Sequence, residues 1–186
     1  MSFILASASP RRSEILTMIG IPFEVDAPRV DENLKASHPT ELPRLLAEAK
    51  AKEVSLRRKD MWALAFDTLV FLDERPLGKP QDADDAFKML SALSGREHEV
   101  ITGVALARNG MIEESEEERT KVFFRKLKPK EISDYIATNE PFDKAGAYGI
   151  QGIGARLVDS VEGCFYNVVG LPIALTLDIL QSVKEA

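Results

Sequence analysis

The stretch MWALAFDTLVFL, residues 61–72, is almost continuously apolar and is interrupted by a single acid and a single threonine. A run of this kind is typical of a central strand that is buried on both faces. The patterns around it predict strands at 3–5, 100–107 and 122–127, and helices at 10–19, 40–56 and 83–93 and after Pro129 and Pro172. Because strands alternate with helices, the sequence predicts an α/β fold with helices flanking a twisted sheet. An antiparallel pair at 100–127 would make that sheet mixed.

The composition indicates a single globular domain over residues 1–186. A chain of 186 residues can bury roughly two thirds of the surface that its unfolded form exposes, which is enough for one core. No apolar run of 18 residues and no charged-then-apolar leader occurs, so we expect a cytoplasmic protein without a membrane partner. The net charge of −6 disfavours nucleic acid as a partner, whereas a local basic pocket can still bind a small anion. The acidic run EESEEE, residues 113–118, is predicted to be a solvated connection between two strands.

Carboxylates are the candidate metal ligands of this chain. One cysteine and two separated histidines, His38 and His98, exclude an internal disulfide and a zinc site of the usual spacing. Asp67 lies inside the apolar run, where an ionised carboxylate needs a cation or a hydrogen bond, unless it sits at a strand end facing solvent. Asp31 and Glu32 form a second acidic pair, which is either functional or part of a polar loop. If these acids converge with Asp67, their oxygens suit Mg²⁺ or Mn²⁺.

The segment ASASPRRSEIL, residues 6–16, predicts an anion site. It leads from a strand into a helix, whose first turn presents unpaired N–H groups and the positive end of the helix dipole. Arg11 and Arg12 add forked donors that match phosphate oxygens, and the small residues at 6–9 would let a ligand approach the backbone. The alternative is a solvent-facing turn with incidental arginines. Two cations at this end of a helix oppose its dipole, however, so their pairing favours a bound anion.

Three lysines and one glycine-rich segment are further candidates for ligand binding. Lys50 belongs to the predicted helix at 40–56, and Lys79 follows the strand of Asp67 after a chain reversal. Lys144 begins a segment of small residues, AGAYGIQG, that suits a loop whose backbone contacts a ligand. Simple turns are the alternative for that segment.

Taken together and in this order, several motifs resemble those of the Maf family. They are LASASPRR (5–12), DE (31–32), FDTLV (66–70), GKP (78–80), LSG with TGVAL (93–106), DKAGAYGIQG (143–152) and NVVGLP (167–172). The resemblance implies a nucleoside triphosphate pyrophosphatase, which splits the bond between the α- and β-phosphates with the help of a divalent metal, Mg²⁺ or Mn²⁺. It also implies a mixed α/β fold similar to that of the inosine triphosphatases, with two lobes around a central cleft.

The resemblance also implies roles for single residues. Asp67 would be the general base, Glu32 and Asp67 would bind the metal and its water, and Lys79 would assist catalysis. Thr68 and Gln151 match positions that tune the choice of base, and the form GAYGIQG is similar to the branch acting on dTTP and UTP. The implied substrate-binding set is Ser7, Ser9, Arg11, Arg12, Lys50, Thr68, Lys144 and Gln151.

Two questions stay open at the level of sequence. Phe66 stands where the family commonly has a small residue, so its ring either crowds the site or packs behind it. The family was first associated with septum formation, so a nucleotide-binding regulator of cell division with little turnover is the alternative function. A homodimer is compatible with either function.

Overall fold

A computed structural model describes residues 3–183. Its strands are β1 (Phe3–Ala6), β2 (Phe23–Val25), β3 (Trp62–Leu72), β4 (Arg75–Leu77), β5 (Glu97–Arg108), β6 (Met111–Phe124) and β7 (Val158–Glu162). Its α-helices are α1 (Pro10–Met18), α2 (Leu42–Arg57), α3 (Ala83–Leu93), α4 (Pro129–Ile136), α5 (Phe165–Val169) and α6 (Ile173–Ser182). Short 3₁₀ turns occupy Pro39–Glu41, Glu140–Asp143, Ala145–Ala147 and Gly152–Leu157. Within the described range, no helix is both long enough and apolar enough to cross a membrane.

The strands form one mixed sheet in the order β2-β1-β3-β5-β6-β7, with β4 paired to β3. β1 runs parallel to both of its neighbours, so that Phe3 pairs with Phe23 on one side and with Trp62 on the other. β4 is antiparallel to β3, and β7 is antiparallel to β6. The predicted mixed α/β fold with flanking helices is therefore confirmed. β4 was not predicted, because its three residues lie within the chain reversal that was expected between the strand of Asp67 and Lys79.

The acidic run 113–118 lies inside β6, so its assignment as a solvated connection is wrong. β5 and β6 are hydrogen-bonded neighbours joined by only Asn109 and Gly110, and a link of two residues requires antiparallel strands. Both linking residues have positive φ, 52° and 80°, as a tight hairpin turn demands. The first nine residues of β6 are exposed or half-buried, so its glutamates can point to solvent while the backbone pairs.

The chain divides into two compact units. The first contains residues 3–67 and Thr102–Glu118, together with residues 170–183. Its core brings α2 against the sheet through small side chains, among them Ala47 and Ala51 of the helix. Gly103 of β5 makes this approach feasible, because a Cβ atom there would overlap the carbonyl group of Pro43. Close contact between α2 and the sheet places the inward-facing residues of the helix directly over the strands.

The second unit consists of Thr68–Ile101 and Arg119–Val169. Its core includes an aromatic cluster in which His98 packs edge-on against Phe124 and Tyr148, with ring centroids 4.9 and 5.3 Å away. His98 Nε2 is 2.7 Å from the Tyr148 hydroxyl oxygen, and Nδ1 has no hydrogen-bond partner among the described residues. Burial lowers the pKa of His98 to about 4, so this imidazole is neutral at physiological pH.

Candidate active site

A buried lysine joins two carboxylates in the first unit. The Lys50 Nζ atom donates a hydrogen bond to Asp67 Oδ1 at 2.6 Å and forms an ion pair with Glu32 Oε1 at 2.7 Å. The side chains of Lys50 and Asp67 are only 9% and 12% exposed, whereas that of Glu32 is 65% exposed. One ammonium therefore compensates a buried carboxylate from a strand and a more exposed carboxylate from a loop.

The helical spacing of α2 explains why Lys50 points inward. The buried residues of this helix include Leu46, Ala47, Ala51 and Val54, and Lys50 lies on the same face, four residues after Leu46 and three after Ala47. A lysine at a core position is expensive unless a carboxylate receives its charge. The position of Lys50 within the apolar stripe is a signal that can be read from the sequence.

Asp67 is buried in β3, as the sequence predicted. Among the described residues, the side chain that donates a hydrogen bond to Asp67 is Lys50, and it does so at Oδ1. Its second oxygen, Oδ2, is thereby left to accept a hydrogen bond from a ligand or from water. This arrangement suits a carboxylate that has to be held in place and still accept a proton.

The loop that carries Glu32 is fastened to the end of α2. Arg57 donates to both carboxylate oxygens of Asp26 at 2.8 and 2.9 Å and to the carbonyl oxygen of Ala27 at 3.1 Å. A further bond joins the backbone N–H of Arg29 to Glu53 at 3.0 Å. Because α2 also carries Lys50, these contacts hold the loop close to the lysine that Glu32 contacts.

Of the acidic pair Asp31 and Glu32, only Glu32 contacts the buried lysine. Asp31 Oδ1 instead accepts hydrogen bonds from the backbone and the side chain of Asn33, both at 2.9 Å. Asp31 therefore stabilises a local turn, and the functional reading of the pair applies to Glu32 alone.

The segment between β1 and α1 builds a cationic site around Arg12. The Arg12 guanidinium donates to Ser7 Oγ at 3.1 Å and to the carbonyl oxygen of Gly170 at 2.9 Å. Its central carbon lies 5.6 Å from the ring centroid of Phe66, which is fully buried. Phe66 therefore packs behind the cation and offers it the face of a ring, an arrangement that is itself stabilising.

Ser9 occupies the position before the first residue of α1, but its side chain does not cap the helix. Its backbone N–H instead donates to Ser7 Oγ at 3.1 Å. Ser7 is thus the organising residue of the loop, because its hydroxyl oxygen also accepts from Arg12. No residue in the first turn of α1 is acidic, so the positive end of the helix is not neutralised from within that turn.

Electrostatic coupling links Arg12 to the carboxylates. Burial is the largest influence and lowers the pKa of Arg12 to about 10; the nearby charge of Arg11 adds to the decrease, whereas Asp67 and Glu32 oppose it. Arg12 therefore lies close enough to both carboxylates to interact with them. The structure brings together Ser7, Arg11, Arg12, Glu32, Lys50 and Asp67.

The remaining predicted site residues belong to the second unit. Lys79 is exposed, two residues beyond Leu77, which pairs with Val70, and Thr68 is half-buried in β3. The Lys144 ammonium donates to the carbonyl oxygen of Glu140 and to Asp143 Oδ1, both at 2.6 Å.

Gln151 is exposed and directly precedes the 3₁₀ turn Gly152–Leu157. The segment around it is held by Tyr135 and Glu140, which the sequence reasoning missed. No local pattern distinguishes Glu140 from an ordinary surface glutamate, because its partners are amides 13 and 14 residues further along the chain.

Glu32 and Asp67 fit a small divalent cation. Their oxygens converge within 2.7 and 2.6 Å of one positive atom, Lys50 Nζ, and carboxylate oxygens are the ligands that Mg²⁺ and Mn²⁺ prefer. Among the described residues, no group of three or more His, Cys, Asp or Glu side chains could hold a metal ion. Two carboxylates suffice where the phosphates of a substrate supply further ligands.

A mixed α/β fold that places the buried cations Arg12 and Lys50 beside two carboxylates suits a protein of the class that binds anionic ligands. Residues 2–183 match the family described as Maf-like protein, and the chain belongs to that family. It is 49% identical over 175 residues to a dTTP/UTP pyrophosphatase of Carboxydothermus hydrogenoformans, covering 94% of each chain. It is 51% identical over 178 residues to a dTTP/UTP pyrophosphatase of Symbiobacterium thermophilum, covering 95% of this chain and 91% of the relative.

Two solved structures match this chain at much lower sequence identity. The Ham1 protein of Staphylococcus aureus is 16% identical with a TM-score of 0.47, over 85% of this chain and 80% of that one. A nucleoside-triphosphatase / dITP/XTP pyrophosphatase of Mycobacterium abscessus is 19% identical with a TM-score of 0.44, over 68% and 76% of the two chains.

Proposed function

We propose that this protein hydrolyses nucleoside triphosphates to a nucleoside monophosphate and pyrophosphate, with dTTP and UTP as its substrates. The single observation that carries the proposal is the buried Lys50 that joins Asp67 and Glu32 beside Arg12. The names of the two relatives, each about half identical over nearly the whole chain, support the same activity and the same pair of substrates.

Arg11, Arg12 and the start of α1 bind the phosphates in this proposal. Arg12 is held from three sides, by Ser7, Gly170 and the ring of Phe66, so little side-chain freedom is lost when a phosphate binds. Guanidinium groups suit phosphate oxygens, and the unneutralised end of the helix adds a favourable field. Lys79 supplies a further positive charge. Because its side chain is exposed, a ligand can reach it from solvent.

Asp67 acts as the general base. The oxygen of a water molecule bonds to one phosphorus of the α–β anhydride, the bridging oxygen leaves with the other phosphate, and the proton of the water passes to Asp67. Lys50 keeps the carboxylate in a fixed place through Oδ1, so the proton is accepted at Oδ2. In this proposal Lys50 therefore orients the base and takes no part in bond breaking.

Glu32 and Asp67 would hold Mg²⁺ or Mn²⁺, together with oxygens of the substrate. When bound, such an ion screens phosphate charge and stabilises the charge that develops in the transition state. The exposed side chain of Glu32 can turn towards an ion without breaking buried packing.

Thr68 and Gln151 are assigned to recognition of the base. The amide of Gln151 can donate and accept hydrogen bonds, which a pyrimidine edge requires. Lys144 already donates to the backbone of Glu140 and to Asp143, so we assign it to shaping the segment that carries Gln151.

Asp67→Asn tests the proposed base, because it keeps the shape of the side chain and removes its charge. The variant should fold and bind dTTP, yet release pyrophosphate at least about 100-fold more slowly at saturating Mg²⁺, within the usual contribution of a positioned base. Asp134→Asn removes an equally charged but exposed side chain that pairs with Lys130, and should leave turnover unchanged. Near-normal kcat in Asp67→Asn would refute this mechanism, and tight binding without turnover in the unaltered protein would favour a regulator.

A further inference from the structure

We propose that Glu140 is a positioning residue for base selectivity, acting with Tyr135 to fix the segment 149–154 that carries Gln151. The inference rests on the proposed function, since it assigns Gln151 to reading the base. Glu140 binds two backbone amides of this segment and the Tyr135 hydroxyl, so its effect would pass through the placement of the segment.

The contacts of Glu140 and Tyr135 together lie on both sides of Gln151 along the chain. Its Oε1 atom accepts from the backbone N–H of Gly154 at 2.9 Å and from the Tyr135 hydroxyl at 3.0 Å. Its Oε2 atom accepts from the backbone N–H of Ile153 at 3.0 Å. The Tyr135 hydroxyl oxygen in turn accepts from the backbone N–H of Gly149 at 3.2 Å. Two side chains thus tie down backbone before and after Gln151.

The fit around this carboxylate is close. A Cβ atom at Gly154 would overlap the carbonyl oxygen of Gly149 and would lie 2.6 Å from the Tyr135 hydroxyl oxygen and 3.1 Å from Glu140 Oε1. Gly152 has a φ of +75°, and a Cβ atom there would lie 2.9 Å from Glu140 Oε2. The segment therefore has little room for larger residues at 152 and 154, where it approaches its own backbone and the side chains of Tyr135 and Glu140.

Electrostatics agree with this geometry. Burial raises the pKa of Glu140, but the amides of Gly154 and Ile153 and the Tyr135 hydroxyl outweigh it, and the net pKa lies below the usual range. Burial is also the main reason why the pKa of Tyr135 is raised. We call the pair of Glu140 and Tyr135 the clamp. At neutral pH it consists of an ionised carboxylate and a protonated phenol, which is the combination that its hydrogen bonds require.

Gln151 depends on this clamp for its orientation. Its side chain is exposed and makes no hydrogen bond to any residue in the range 3–183, so no direct contact fixes the amide. The backbone on either side is fixed instead. A more mobile backbone there should lower the selectivity between bases and leave phosphate binding by Arg11 and Arg12 unaffected.

The test compares Glu140→Gln and the milder Tyr135→Phe with the unaltered protein. Dissociation constants are measured for α,β-methylene analogues of dTTP and dGTP, whose α–β bond resists hydrolysis, and for inorganic tripolyphosphate, which has no base. We expect the preference for the dTTP analogue to fall at least about fivefold in Glu140→Gln, and less in Tyr135→Phe. The affinity for tripolyphosphate should stay within about twofold. Amide hydrogen exchange at 149, 153 and 154 should become faster in Glu140→Gln.

Glu131→Gln is the matched control. Glu131 also accepts a backbone N–H, that of Lys128 at 2.9 Å, and an arginine side chain, but it lies at the start of α4. This variant should retain the unaltered preference and the unaltered exchange at 149–154.

Two outcomes would overturn the inference. One is an unchanged preference in both Glu140→Gln and Tyr135→Phe, whether or not exchange becomes faster. The other is an equal weakening of both analogues and tripolyphosphate, which marks a merely structural role. If the unaltered protein binds the dTTP analogue selectively but hydrolyses no triphosphate, the proposed enzymatic activity is refuted. The binding comparison of the variants would then still test the role of Glu140.

Discussion

Replacing Lys50 by Met removes the positive charge between Asp67 and Glu32 and keeps most of the apolar stem. Asp67 is then a buried carboxylate without its closest partner, and breaking a buried ion pair from one side typically costs 3–5 kcal/mol. Arg12 lies near enough to compensate part of that charge, and Glu32 is exposed enough to be solvated. We therefore expect Lys50→Met to lower the free energy of unfolding by about 3 kcal/mol, the low end of this range.

Urea unfolding of four proteins measures this coupling: the unaltered chain, Lys50→Met, Asp67→Asn and the double variant. The double variant removes both buried charges, so it should be more stable than Lys50→Met, with a coupling energy of about 2 kcal/mol between the two positions. Lys52→Met is the control on the same helix, because Lys52 is exposed, and it should change stability by less than about 0.5 kcal/mol. The reasoning is wrong if Lys50→Met costs no more than Lys52→Met, or if the double variant is no more stable than Lys50→Met.

Two further predictions concern His98 and Arg12. Because the folded protein holds His98 with a pKa of about 4 and the unfolded chain has about 6.5, the unfolded state binds more protons and stability falls as the pH drops from 6.5 to 4. Between pH 7 and pH 5 the free energy of unfolding should fall by about 2 kcal/mol more than in His98→Gln, measured by urea titration; parallel pH profiles would contradict a buried neutral imidazole. Arg12→Ala should weaken binding of the dTTP analogue by about 1.5–3 kcal/mol in calorimetry, and an unchanged affinity would remove the anion site.

The layout of the fold is readable from the sequence where burial imposes a regular pattern. The apolar run at 61–72 marks β3, and the stripe at 83–93 marks α3 with the same bounds as in the structure. Reading failed at β4 and at the acidic part of β6. These strands are stabilised by backbone pairing with a neighbour rather than by buried side chains, so their composition is that of a turn or a solvated loop.

The same distinction separates the site residues that were predicted from those that were missed. Asp67 is conspicuous because a charge interrupts an apolar pattern, and Arg11 and Arg12 because their charges oppose a helix dipole. Glu140 interrupts no pattern, since its partners are backbone amides that only the folded chain brings close. Sequence reasoning thus finds residues in energetic conflict with their local surroundings, and overlooks those whose role is to hold distant backbone.

Lys50 is a charged residue on the apolar face of α2, and its position bears on how an acidic protein can bind a polyanion. Arg11, Arg12 and Lys50 carry three formal positive charges and Glu32 and Asp67 two negative ones, so the cluster is +1 in a chain whose net charge is −6. This excess is held in place before any ligand arrives, because Ser7 and Gly170 fix Arg12 and Asp67 fixes Lys50. Charges that are already oriented need no rearrangement when a phosphate binds, so the binding free energy is not reduced by the cost of ordering the site. The carboxylates that look unfavourable for an anion site are therefore what keeps its buried lysine in position.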